Sequence, residues 1–200
     1  MGYAIAFWGP PLFARVHGWP PADTGFGLGL VTILFGCAGL WAGGRVCERL
    51  FARGRHDAPV IVAALGVALS GFFFGIASLM SSGAWTLVLL SPGAFFNGVP
   101  IGAAYAALQL IVPNQLRGLV SALHVLLVNL IGLTLGPLLP GVLNDRVFQD
   151  GQRVGSSIAI SAFAAAAIGT VSFLAIRNAY TYHYELERSV RASAGGPVVV

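Results

Sequence analysis

Formally charged side chains are missing from four long stretches of this chain, and the gaps have membrane dimensions. They lie between Asp23 and Arg45, between Asp57 and Arg117, between Arg117 and Asp145, and between Arg153 and Arg177. A helix needs roughly 20 apolar residues to cross a bilayer, and an ionised side chain in hydrocarbon is costly. Three of the gaps fit one helix each. The gap over 58–116 is too long for one, and Ser81-Ser82-Gly83 near its middle is a natural turn, so it reads as two helices.

Composition points the same way. Hydrophobic residues make up 56% of the chain and charged residues 9%, with a mean hydropathy of +0.81. A soluble domain of this size carries about 25% charge. None of the apolar runs alternates as barrel strands do. The expected fold class is therefore an all-α polytopic membrane protein. The first segment, Met1 to Ala14, lacks a basic leader and a small-residue cleavage site, so it does not read as a signal peptide. Gly9-Pro10-Pro11 interrupts it, and it is short for a span. It is expected to be a spanning helix whose first part is missing, in a fragment.

The basic balance is a topology signal and not a nucleic-acid signal. All eleven basic residues are arginine, and no segment interleaves them with stacking aromatics. The six segments fall at about 2–14, 25–44, 59–80, 84–112, 118–143 and 155–176. Arg45, Arg49, Arg53, Arg55, Arg117, Arg177, Arg188 and Arg191 then share one side, and Arg15, Arg146 and Arg153 the other. The richer side is cytoplasmic by the positive-inside rule, which places the C-terminus inside. The location expected is the plasma membrane, as in a bacterial inner membrane. Cys37 and Cys47 lie on a helix and its exit, a poor setting for a disulfide. No zinc-type spacing occurs, and no cofactor or metal is implied. Residues 181–200 are expected to form a disordered cytoplasmic tail after a helical domain over 1–180.

Two stretches carry a family resemblance. The loop Gly44-Arg45-Val46-Cys47-Glu48-Arg49, followed by Gly54-Arg55, resembles the Gly-x-x-x-Asp-Arg…Gly-Arg loop of the major facilitator superfamily, with Glu48 in place of Asp. Pro113-Asn114-Gln115-Leu116-Arg117-Gly118, then Asn129-Leu130-Ile131-Gly132 and Gly136-Pro137, resembles the tenth-to-eleventh helix region of Spinster-like members. Trp8-Gly9-Pro10-Pro11 is similar to the end of that family's seventh helix. The resemblance covers about residues 3–180. It implies the C-terminal six-helix half of a twelve-helix transporter, with its first helix truncated and an N-terminal half as partner. It further implies alternating-access transport of a small organic or lipid-like amphipathic solute, with proton coupling left open. It also casts Gly44, Glu48, Arg49 and Arg117 as a cytoplasmic gate motif.

The residues have a reading of their own. Gly25, Gly29, Gly36 and Gly43 share one face of the second helix, and Gly132, Gly136 and Pro137 permit a tight crossing and a bend in the fifth. Asn97, Tyr105 and Gln109 on the fourth helix, with His124 and Asn129 on the fifth, either line a substrate cavity or hold helices together by hydrogen bonds. No Asp, Glu, Lys or Arg lies deep in a span, so any coupling carboxylate is expected elsewhere. A membrane enzyme is not expected: Ser78 and Ser91 lack the Gly-x-Ser-Gly setting of a rhomboid-like nucleophile. The alternative to a transporter is a membrane scaffold, or a half-size subunit that pairs with another chain.

Overall fold

The computed structural model describes the backbone over residues 1–112, 114–149 and 153–193, with the side chains of 109–111, 178–180 and 182–193 outside the description. The described residues form helices and no strand. In order these are α1 (Gly2–Val16), α2 (Pro21–Val31), a π-helical turn (Thr32–Gly36), α3 (Cys37–Ala52), α4 (Ala58–Ser78), α5 (Gly83–Ile111), α6 (Arg117–Val142), a second π-turn (Leu143–Phe148) and α7 (Val154–Ser193). Five runs are long and apolar enough to cross a membrane: Pro21–Ala52, Ala58–Ser78, Gly83–Leu108, Arg117–Phe148 and Val154–Arg177. The chain is thus an all-helical protein with the composition of an integral membrane protein.

Several boundaries differ from those read off the sequence. The second segment is one helical run from Pro21 to Ala52, because its π-turn absorbs a register change without breaking the helix. In α1, Pro10 and Pro11 lie inside the helix and do not interrupt it. Their cost is local, and Leu12 and Phe13 just beyond them are fully buried. α7 continues past residue 180 to Ser193, where a disordered tail was expected; residues 194–200 lie outside the described ones.

Turn chemistry explains where the helices stop. α3 ends on Gly54 at φ +80°, whose N–H reaches the Phe51 carbonyl at 2.9 Å while the Arg55 N–H reaches Leu50 at 3.1 Å. This paired closure satisfies two carbonyls that the helix end would leave open, and it needs a left-handed residue that glycine supplies. α4 and α5 meet at Ser81-Ser82-Gly83, the turn expected from the sequence.

The core joins α3, α4, α5 and α7. α4 packs along both α5 and α7, and α3 along α5. Taken as six helical segments, first (α1) to sixth (α7) with α2–α3 as the second, the chain packs in a regular pattern. The second packs on the fourth, and the fifth on the first. The third packs on the fourth, and the sixth on the first. The third and sixth pack on each other. Exchanging the first three segments for the last three leaves this pattern of neighbours unchanged.

The tightest crossing is between α3 and α5. A Cβ on Gly39 or Gly43 would collide with the Phe95 or Val99 carbonyl, and one on Gly98 or Gly102 with the Gly36 or Leu40 carbonyl. Without a hydrophobic force between helices in lipid, such backbone approach is how they adhere. The small-residue face therefore runs through Gly36, Gly39 and Gly43. Gly25 and Gly29, assigned to it from their spacing, have nothing within 4 Å of a would-be Cβ. Gly27 meets Leu87 instead.

Candidate functional site

The polar side chains singled out on the fourth and fifth segments meet the start of α1. The Tyr3 hydroxyl donates to Asn129 Oδ1. A Cβ on Gly2 would lie 2.8 Å from Asn97 Nδ2, so Asn97 abuts the α1 backbone one residue away. Tyr3 also covers Gly132 and Gly136, whose missing side chains leave room for its ring and backbone. At the next level, Trp8 Nε1–H donates to the Pro137 carbonyl at 2.9 Å and lies over Gly141. Proline inside a helix frees a carbonyl in the turn before it, and here the Pro137 carbonyl itself gains an indole donor.

Tyr105 and His124 close the same seam nearer the arginine-rich end. Their rings meet edge to face at 6.0 Å across α5 and α6. The side chain of Gln109 lies outside the described residues. Asn97, Tyr105, His124 and Asn129 are all half-buried. Three helices, α1, α5 and α6, thus share one polar seam. Tyr3 is the member that sequence reasoning missed. It sits in a short segment read as truncated, and nothing local marks it as facing an asparagine on α6.

The gate motif is arranged differently from the expectation. Glu48 pairs with Arg45 on its own helix at 3.3 Å, and both are well exposed. The Arg117 Nε–H donates to Val112 C=O at 3.0 Å, in the turn that opens α6. The described contacts do not join Glu48 to Arg117. A Cβ on Gly44 would meet nothing within 4 Å, although its backbone N lies beside Gly102. Arg49 is exposed. The carboxylate that ties two segments together at this end is Asp57, 13% exposed, which pairs with Arg177 of α7 and lies 3.6 Å from Arg55. Arg177 Nε donates to it at 2.9 Å and a terminal guanidinium nitrogen donates to the same oxygen. This fixes the start of α4 against α7 and puts both on one side, as the segment order requires.

The opposite end has its own polar contact. His17, which caps α1, has Nε2 3.1 Å from Thr86 Oγ1. Thr86 spends its hydroxyl hydrogen on the Ser82 carbonyl at 3.0 Å, so His17 Nε2 is the donor of the pair. Nδ1 is then a bare acceptor, buried without a hydrogen-bond partner among the described residues. Burial pushes the His17 pKa below its ordinary value, with the Ser81 backbone pulling weakly the other way. The Phe13 ring walls this contact, 5.4 Å from the His17 ring and 5.1 Å from that of Trp19.

No group of metal-binding side chains occurs among the described residues. No protein-family model, curated protein or solved structure matches the chain.

Proposed function

We propose that this chain is a six-segment half of a secondary transporter of the major facilitator type, resembling the Spinster-like members. It moves a small organic or lipid-like amphipathic solute by alternating access, together with a second six-helix bundle that supplies the facing wall. The observation that carries this reading is the exchange symmetry of helix packing. In this reading the two units of three segments enter the membrane in opposite senses. Inverted repeats of that kind place a substrate site where equivalent helices face each other. The first and fourth segments, α1 and α5, are such a pair, and with α6 they hold Asn97, Tyr3 and Asn129. In this reading the arginine-rich end is cytoplasmic.

The half-buried amides give the seam its chemistry. Amide and phenol groups orient a polar headgroup by hydrogen bonds, while the surrounding leucines accept an apolar tail. Asp57–Arg177 holds the third and sixth segments as a rigid unit, so that rocking moves the half as a body. The test is binding of a fluorescent lysophospholipid to the purified chain in nanodiscs. Saturable binding, weakened at least about five-fold by Asn97→Ala or Tyr105→Ala, is expected. Binding that is unsaturable, or unchanged in both variants, points to a scaffold. Reconstituted alone, the chain should bind but not accumulate the solute.

A further inference from the structure

Helix α3 carries two rows of residues spaced four apart. Gly39, Gly43 and Cys47 are buried, against Phe95, Val99 and the rest of the α5 contact. Trp41, Arg45, Arg49 and Arg53 are exposed. Trp41, Arg45 and Arg49 each follow a member of the first row by two positions, a rotation of about 200°, and Arg53 caps the helix one turn further on. One row therefore faces into the bundle and the other faces out of it.

The outer row is graded from apolar to charged. Trp41 is 67% exposed and lies within the apolar run Pro21–Ala52. The Arg45 guanidinium sits 5.8 Å over the Trp41 ring and also meets Glu48. The side chains of Arg49 and Arg53 make no ion pair among the described residues. Arg55, beyond the Gly54 turn, is engaged with Asp57 and belongs to a different contact.

The geometry points to a binding site for the headgroup of an anionic phospholipid along Trp41, Arg45 and Arg49, with Arg53 adding positive charge on its aqueous side. Four residues of helix rise about 6 Å, and a headgroup layer is about 5–8 Å thick. With the Trp41 indole at the hydrocarbon boundary, where such rings collect, Arg45 stands about 6 Å further out, within that layer, and Arg49 about 12 Å out, just beyond it, from where its long side chain reaches back to the lipid phosphates. Arg53, about 18 Å out, lies in water and adds only longer-range attraction. Guanidinium forks match phosphate oxygens in pairs, which lysines would not. A soluble anion would have no use for the exposed indole below the arginines. Charges that serve only to set topology need not share one outward face of a helix. This inference rests on the membrane-spanning character of α2–α3 and is independent of the transport reading.

The test uses the full chain in vesicles of phosphatidylcholine doped with spin-labelled phosphatidylglycerol or spin-labelled phosphatidylcholine. The protein-associated fraction of each label is read by electron paramagnetic resonance. The wild type should prefer the anionic label by about two- to five-fold. Arg45→Gln/Arg49→Gln/Arg53→Gln should abolish the preference. Arg15→Gln/Arg146→Gln/Arg153→Gln, with the same change in net charge at the other end, should keep it. Equal preference in wild type and the α3 triple variant would overturn the proposal. Equal loss in the two triple variants would overturn it as well, since net charge alone would then account for the effect.

Discussion

α4 and α6 are equally plausible membrane helices by sequence, yet they sit in opposite surroundings. Over their most apolar windows, 56% of α4 is buried within the chain and none of α6. α4 has glycine or serine at Gly66, Ser70, Gly71 and Gly75, each closed over by a neighbour. α6 presents Leu119, Leu126, Leu130 and Ile131 outward. It is held to α1 by Tyr3 and Trp8 and to α5 by the Tyr105–His124 contact. Hydropathy therefore tells that a helix is in the membrane, and small residues tell which helices touch. A leucine surface can equally well face lipid or a second bundle.

The largest expected effect lies on the tight side of that comparison. Gly43→Leu drives a side chain into the Val99 backbone, which no rotamer avoids. It should cost more than ~3 kcal/mol and collapse the yield of folded protein. Leu126→Ala on α6 should stay within ~0.5 kcal/mol. Thermal unfolding in detergent, followed by tryptophan fluorescence, compares the two. Similar losses would mean that α3–α5 and α6 are equally loose.

The ion pairs sharpen the same contrast. Asp57→Ala leaves the Arg177 guanidinium without its carboxylate where α4 meets α7. Arg177 is 45% exposed at its side chain, so solvent screening trims the effect to ~1–2 kcal/mol. Glu48→Gln, at an exposed pair, should cost no more than ~0.5 kcal/mol. Tyr3→Phe removes the donor to Asn129 and should cost ~0.5–1.5 kcal/mol. Its distinguishing sign is faster amide exchange confined to α1 and α6, because the rest of the bundle does not depend on that bond.

The smallest effect is a pH dependence at the His17 end. The folded state lowers the His17 pKa from its ordinary 6.5, so it binds fewer protons than the unfolded chain. Stability from this source is fully present above pH 6.5 and is lost as pH falls from there through the lower folded value. His17→Gln should flatten the wild type's loss of stability between about pH 7 and 5. An unchanged slope would assign that loss to other groups. The charged residues on the elements nearest His17 are Arg15, Asp23 and Arg153, all exposed.

Much of this arrangement was legible in advance, and what was not has physical reasons. Missing charges located the spans, and Ser81-Ser82-Gly83 located the turn between α4 and α5. Asn97, Tyr105, His124 and Asn129 were legible as a group, because a buried amide in a bilayer has to find a partner. Tyr3, the actual partner of Asn129, was not, since pairing across the chain leaves no local mark. The glycine face was misplaced because equal spacing on a helix does not say which glycines meet a neighbour. Gly25 and Gly29 share the arc but lie beyond the α5 crossing. Glu48 looked like the organising carboxylate from its motif. Asp57 takes that part because it precedes α4 where the arginine of α7 arrives, a coincidence of two distant positions.

The packing symmetry itself is tested most directly by thiol cross-linking in membranes. The Tyr3 hydroxyl meets Asn129 across α1 and α6, so cysteines at these two positions lie within the span of a short bifunctional methanethiosulfonate. With Cys37 and Cys47 replaced by serine, Tyr3→Cys/Asn129→Cys should be joined within one chain by that reagent. Asp57→Cys/Arg177→Cys, at the ion pair between the start of α4 and α7, serves as the positive control. Trapping of both pairs is the expected result. Trapping of the control alone would show that the fifth segment does not pack on the first as the second packs on the fourth, and would contradict the exchange symmetry on which the transporter reading rests.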